Sequence, residues 1–260
     1  MPNNASSRAV RLHQVVLQTA LGVLGVCSAI WAAEMLPWAV LVTPARDVAE
    51  LIASNTPFKP AVLKEVDAEL AAARPEMTWT NPVAARASAM ITLRLAQDSQ
   101  ARDSSEQVEA AFTLAESGIR AALRLNPSDS SLWTSAYLVR TARAEFNPSD
   151  TRLLAQSYVT GPHEGWVSVT RNRLALAAYP ILDRRTQDLA ISEFSEMVGS
   201  GMIDDAAINL LGVGWDQRDG LLASLATVGL PPKEALARRL EDKGARISVP
   251  GVRLETRPWR

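Results

Sequence analysis

The first long pattern in the chain is apolar and continuous. Between residues 12 and 33 no side chain is charged, and after Glu34 the sequence MLPWAVLV stays apolar as far as Val42. An α-helix needs about 20 mostly apolar residues to cross a bilayer. Residues 12–42 therefore predict a membrane-spanning helix. Pro37 is expected to kink or end this helix near its far side.

After Pro44 apolar residues recur at helical spacing in windows of 10 to 20 residues, with breakers between them. No convincing strand alternation is present, so the pattern predicts an all-α domain over residues 44–245. Residues 246–260 contain two prolines and no helical period, which predicts an extended tail. Helices are predicted over residues 45–54, from about 60, over 82–95, from a cap at Ser105 to 125, and over 130–145, 150–158, 165–178, 186–199, 203–211, 217–228 and 232–243.

The stretch AALRLNPSDSSLWTSAYL, residues 121–138, joins two of these helices through a very short break. Proline disfavours the helical conformation of the residue before it, so one helix should end near Leu125 or Asn126. Ser128 or Asp129 is expected to cap the next helix. A break this short makes the two helices pack antiparallel or nearly so. Trp133 is expected to fill the space between them as a core residue.

The same stretch resembles the junction between two tetratricopeptide repeats. The matching residues are Ala115, Ile119, Ala122, Pro127 and Trp133, although Tyr137 stands where that family has Gly. Trp166 follows Trp133 by 33 residues, close to the family's period of about 34. A helix–turn–helix without repeat ancestry remains an open alternative.

The resemblance implies stacked antiparallel helix pairs, a tetratricopeptide-like α-solenoid, behind the membrane helix. In that family the first helix of each pair lines a concave groove that binds peptides or protein segments. The residues of this chain that the resemblance places at the groove are Ser131, Thr134, Leu138 and Thr141.

The amino-terminal helix is interpreted as an uncleaved anchor. Cleavage after Ala33 or Ala32 would place Trp31 or Ile30 where a signal peptide needs a small residue. A cleaved signal peptide and a lipoprotein modified at Cys27 remain as alternatives. Arg8 and Arg11 precede the span, which predicts a cytoplasmic segment over residues 1–11 and a domain on the other side, the periplasm of a bacterial cell.

Small residues follow one side of the predicted span. Gly22, Gly25 and Ala29 form a face on which a second helix could approach closely, which would give a homodimer through the anchor. The alternative is that these residues reflect only the high frequency of small residues in membrane helices.

Composition and motifs favour binding over chemistry. The formal net charge is −1, which argues against a nucleic-acid partner. We expect no catalytic residue, cofactor or metal: His163-Glu164 resembles the start of a zinc-protease motif, but Val167 stands where its second histidine would be. The pairs Glu193 and Glu196, and Arg171 and Arg173, are expected to be solvated surface charges.

The sequence therefore predicts a non-enzymatic, membrane-anchored helical-repeat protein that binds a protein or peptide segment, which we expect to belong to another envelope protein. Two alternatives stay open. One is an accessory role in the production or export of an envelope polysaccharide, such as an exopolysaccharide or O-antigen. The other is an enzyme that acts on envelope polymers.

Overall fold

A computed structural model describes residues 4–53, 58–73, 81–143 and 147–253. Within these ranges every regular element is helical, which confirms the all-α fold class. Residues 74–80, the end of the helix predicted over 130–145 and the end of the predicted tail lie outside the described residues. The α-helices are α1 Asn4–Ala53, α2 Pro60–Ala73, α3 Pro82–Ser99, α4 Ser105–Leu125, α5 Ser130–Ala142, α6 Thr151–Thr160, α7 Gly165–Ala177, α8 Arg184–Gly199, α9 Ile203–Leu211, α10 Arg218–Ser224 and α11 Leu230–Asp242.

Helix α1 is 50 residues long and passes through Pro37 and Pro44 without ending. The helix does not end at Pro37, so that part of the prediction is wrong. The separate helix predicted over 45–54 is the last part of α1. Each proline removes one backbone hydrogen bond, but helix continues on both sides, and Ala45 and Ala49 are buried in a cluster with residues of α2 and α3.

The amino-terminal part of α1 is suited to a membrane by length and composition. The segment His13–Ala33 is 21 residues long, has a mean hydropathy of 1.9, and none of it is buried against the rest of the chain. A helix of this length and hydropathy is able to cross a bilayer.

The other helices pack pairwise. Helix α3 packs along α4, α5 along α6, and α7 along α8. Each apolar cluster is shared between neighbouring pairs: Leu132 and Val139 of α5 join the α3–α4 cluster, and Tyr137 of the same helix joins the α6–α8 cluster. The core of the described residues therefore continues from one pair into the next, which is consistent with a helical repeat.

Short polar side chains fix where several helices begin. The Asn81 side chain accepts hydrogen bonds from the Val83 and Ala84 amides at the start of α3. The cap of α4 is Ser104, which forms a capping box with Gln107. The predicted cap Ser105 is therefore wrong by one residue, because Gln107 returns the hydrogen bond to Ser104. Asp129 caps α5 as predicted.

The break between α4 and α5 explains why a tryptophan follows the Asn-Pro turn. The indole N–H of Trp133 donates to the carbonyl oxygen of Pro127 at 2.8 Å. Trp133 is half-buried and belongs to none of the buried clusters, whereas its neighbour Leu132 is completely buried. The expectation that Trp133 is a core residue is wrong, because its ring covers the turn while Leu132 enters the core.

The carboxy-terminal helices enclose their own apolar cluster, built around Phe194, Leu210 and Leu236. Gly201 ends the α8 turn with φ of 83°, a conformation that favours glycine. After α11 the chain has no helix up to residue 253, as expected of a tail, but Val249 is buried in this cluster. The first part of the predicted tail therefore packs against the folded domain.

Candidate partner-binding cleft

The first cleft is formed where α1, α3, α5 and α7 come together. Its volume is about 300 Å³. Ile52, close to the end of α1, contributes to it, so the cleft lies next to the helix that carries the apolar segment. The remaining lining residues are Met90, Leu93, Arg94, Gln97 and Asp98 of α3, Ser131, Thr134, Ser135 and Leu138 of α5, and Trp166, Val167, Thr170 and Arg173 of α7.

The lining residues follow the same helical spacing on α3 and on α5. On α5 the spacing is i, i+3, i+4 and i+7, from Ser131 to Leu138, and on α3 it is identical, from Met90 to Gln97. Residues at these positions share one face of a helix. The α3 and α7 contributions were missed from sequence, because the groove register was assigned at the junction before α5 only.

Three of the four predicted groove residues line this cleft. Ser131 and Thr134 are buried in its wall, and Leu138 is half-buried. Thr141 is exposed, donates its hydroxyl to the Leu138 carbonyl oxygen and is not part of the lining. That these residues bind a partner remains a prediction.

The two buried hydroxyls also hold the amino-terminal end of α5. Ser131 donates to the Asp129 carboxylate and accepts a hydrogen bond of 3.3 Å from Arg86. Thr134 lies 2.8 Å from the Ser157 hydroxyl of α6 and also bonds within its own helix. Both groups already have partners, so they shape the wall of the cleft and leave the half-buried Leu138 more accessible to a ligand.

Trp166 separates the first cleft from a second cavity of about 560 Å³ and lines both. Trp166 is 40% exposed, and the Arg86 guanidinium lies 5.2 Å from the centre of its ring. Arg86 is itself held at 2.8 Å by the carboxylate of Asp129. The cap of α5 therefore also positions the cation that stacks on Trp166. The second cavity is lined by Glu50, Arg86, Asn126, Ser128, Asp129, Glu164 and Trp166.

Two residues expected at the surface form the most deeply buried ion pair of the described chain. Arg171 is completely buried, and its Nη2 lies 2.6 Å from Oε1 of Glu193, which is 2% exposed. The expectations of surface charge at Arg171 and of a solvated Glu193 are wrong, because both face the packed interior between α7 and α8. Arg173 is exposed, and Glu196 is only partly so.

The buried pair organises the loop that leads into α7. Arg171 also donates to the carbonyl oxygens of Ser157, Gly161 and Pro162. Burial raises the pKa of Glu193, and the adjacent Arg171 opposes this shift. Burial and the neighbouring Glu193 raise the pKa of Tyr158 well above its usual range. The Tyr158 hydroxyl donates a hydrogen bond of 2.7 Å to the Glu193 carboxylate. At neutral pH Tyr158 is therefore a phenol donor.

The loop is also tied to α5 directly. Ser130 donates a short hydrogen bond to the carboxylate of Glu164. A Cβ on Gly161 would lie 2.7 Å from Ser130, so the loop approaches α5 too closely for a side chain there. These contacts fix Glu164, the residue before α7, at the wall of the second cavity.

The remaining sequence candidates do not form a reactive site. His163 Nδ1 lies 3.2 Å from Glu196, and the His163 side chain is 77% exposed. Within the described ranges, no group of three His, Cys, Asp or Glu side chains is placed to hold a metal ion. In the apolar segment, Gly22, Gly25 and Ala29 are exposed, and an added Cβ at either glycine would meet nothing within 4 Å.

Comparison of the chain with known protein families, with curated proteins and with solved structures found no match. The likeness to tetratricopeptide repeats therefore depends on the junction residues and on the pairwise packing of the helices.

Proposed function

We propose that this protein is a membrane-anchored, non-enzymatic helical-repeat protein that binds a segment of another envelope protein in the cleft between α3, α5 and α7. The observation that carries the proposal is the repeated face: the first helices of consecutive pairs present side chains at the same spacing to one cleft. A stack of helix pairs produces an extended binding surface of this kind.

The lining of the cleft suits a polypeptide. Its apolar residues come from four helices, and they include the half-buried Leu138 and Ile52 and the partly exposed ring of Trp166. Around them are amide, hydroxyl and charged groups. Partner-binding surfaces combine an apolar centre containing aromatic anchors with a polar rim.

The anchor supports the same proposal. With the amino terminus in the cytoplasm, residues from about 44 onward would lie in the periplasm, beside other membrane proteins. Holding the cleft near the bilayer raises the effective concentration of such a partner, so a weak contact would suffice.

Site-specific photo-crosslinking in intact membranes tests the proposal. A photo-reactive amino acid at Thr170, on the cleft, should capture a protein partner, and one at Val159, which is 58% exposed on α6, should not. Adding Leu138→Arg should abolish capture at Thr170, while adding Val159→Arg should leave it unchanged. Equal capture at both sites, or capture that survives Leu138→Arg, would contradict binding in the cleft. A glycan crosslinked at Thr170 in place of a protein would show that the occupant of the cleft is a polysaccharide.

A further inference from the structure

The two cavities on either side of Trp166 differ in charge. The first contains the guanidinium groups of Arg94 and Arg173 and the carboxylate of Asp98. The second contains the carboxylates of Glu50, Asp129 and Glu164 and the guanidinium of Arg86. The combined surface is therefore basic at one end and acidic at the other.

Internal ion pairs neutralise most of these charges. Arg94 forms an ion pair with Asp98, with 3.3 Å between Nε and the carboxylate oxygen. The Nε–H of Arg94 makes no hydrogen bond to that carboxylate. Arg86 pairs with Asp129, and Glu50 pairs with Arg46 at 2.7 Å in a solvent-exposed contact. These pairs leave one charge at each end of the surface for a ligand.

The remaining charges are Arg173 and Glu164. Arg173 is exposed and forms no ion pair with the part of the chain that the structure describes. Glu164 accepts a hydrogen bond from Ser130 but, among the same residues, has no cationic partner. Its carboxylate is held in place by that bond, so it is oriented without being neutralised.

Their separation follows from helix geometry. Glu164 directly precedes α7 and Arg173 lies within it, nine residues later. At 1.5 Å per residue, the two backbone positions are about 13.5 Å apart along the helix axis. An extended chain covers that distance in about four residues. Trp166 lies between them and lines both cavities.

We infer that the partner segment is an extended peptide with an acidic side chain at Arg173, a basic side chain about four residues away at Glu164, and an apolar side chain between them at Trp166. This inference rests on the proposed function, since it specifies the occupant of the same cleft. Opposite charges on the two surfaces select a partner more than they add affinity.

Selection from displayed random peptides, with the full chain in lipid nanodiscs as bait, tests this charge pattern. The wild-type chain should enrich peptides that have an apolar residue between one acidic and one basic residue about four positions apart. Arg173→Glu should enrich peptides basic at both ends, and Glu164→Lys peptides acidic at both ends. The double exchange should restore the mixed pattern. If Glu164→Lys fails to fold, Arg173→Glu tests the inference alone, because its side chain is exposed.

The affinity of a synthetic peptide with the enriched mixed-charge sequence then measures how much each charge contributes to binding. Arg173→Glu should weaken its binding about fivefold, the upper range for one exposed ion pair. Replacing the acidic residue of the peptide by lysine should restore the affinity for this variant. Val159→Arg, on an exposed face of α6, should change neither value.

The outcomes separate the inference from the proposed function. One outcome is that peptides lose binding with Leu138→Arg and yet bind the wild type and all the Arg173 and Glu164 variants equally well. That result would overturn the charge pattern and leave the cleft as the binding site. Failure to enrich any peptide, or binding unaffected by Leu138→Arg, would overturn both.

Discussion

The Arg171 guanidinium and the Glu193 carboxylate meet at 2.6 Å where neither side chain reaches solvent. Arg171 donates to Glu193 through both Nε and Nη2. Removing two charges from water carries a large penalty, which a pair offsets only with good geometry and further hydrogen bonds. The carbonyl oxygens of the α6–α7 loop and the Tyr158 hydroxyl provide those bonds. The pair therefore joins α7, α8 and the loop.

Glu193→Gln should destabilise the full chain by about 3–5 kcal/mol, because it leaves Arg171 buried without a counter-charge. Arg171→Met should also be strongly destabilising, since it removes the donor from several carbonyl oxygens. Denaturant unfolding in detergent measures both, and the double variant should cost less than the sum of the two. Arg184→Ala, at an exposed pair with Asp188, is the control and should change stability by less than about 0.5 kcal/mol. Strict additivity would show that the two residues act independently.

Tyr158→Phe should make the protein less sensitive to alkali. A tyrosine in the unfolded chain ionises near pH 10, whereas burial and Glu193 raise the pKa of Tyr158 well above that in the fold. Its contribution to stability is therefore complete below about pH 10 and is lost as the pH rises toward the folded-state pKa. The wild-type melting temperature should fall more steeply between pH 9 and 11 than that of Tyr158→Phe. Parallel pH profiles would mean that the phenol ionises normally in the fold.

Ile119→Ala should cost more stability than Trp133→Ala, although the side chain lost is smaller. Ile119 is 1% exposed in the α3–α5 cluster, where truncation leaves a cavity and costs about 2–5 kcal/mol. Trp133 is half-buried and loses one hydrogen bond and some apolar cover, about 1–2 kcal/mol. Thermal unfolding in nanodiscs shows which of the two variants loses more stability. A larger loss for Trp133→Ala would place Trp133 in the core.

A reporter active only outside the cytoplasm should be active when fused after Arg260. Arg8 and Arg11 precede an uncharged segment of 22 residues, and the basic flank of such a segment stays in the cytoplasm. Activity of a cytoplasmic reporter at the same position would reverse the orientation. The mature chain should still begin at Met1 or Pro2 by mass spectrometry, and a shorter amino terminus would show cleavage.

The local features of the fold were predictable because they depend on neighbouring residues. The helix end at Leu125 and the Asp129 cap follow from the Asn-Pro turn itself. The tetratricopeptide resemblance placed Ser131, Thr134, Leu138 and Thr141 at a groove, and the first three of these line the cleft in the structure.

The features that were missed depend on long-range contacts. Arg171 and Glu193 lie 22 residues apart, and nothing near either residue distinguishes them from surface charges. Arg86 reaches Asp129 across 43 residues, and this contact brings it over Trp166. Local periodicity shows which face a residue occupies, but not which charges on different helices meet.

With the proposed membrane anchoring, the unbroken α1 helix would determine how far the cleft lies from the bilayer. Ile52 lines the cleft and lies 19 residues after Ala33, the last residue of the candidate span His13–Ala33, a distance of about 28 Å along a helix. Anchor and domain are joined by helix and not by a flexible tether, so tilting or rotating the anchor also reorients the cleft. The proposed partner would then have to present its segment within a layer beside the bilayer, and to one side of the anchor. Equally good segments farther from the bilayer would be out of reach, so the helix would add a selection by distance from the membrane to the proposed selection by charge.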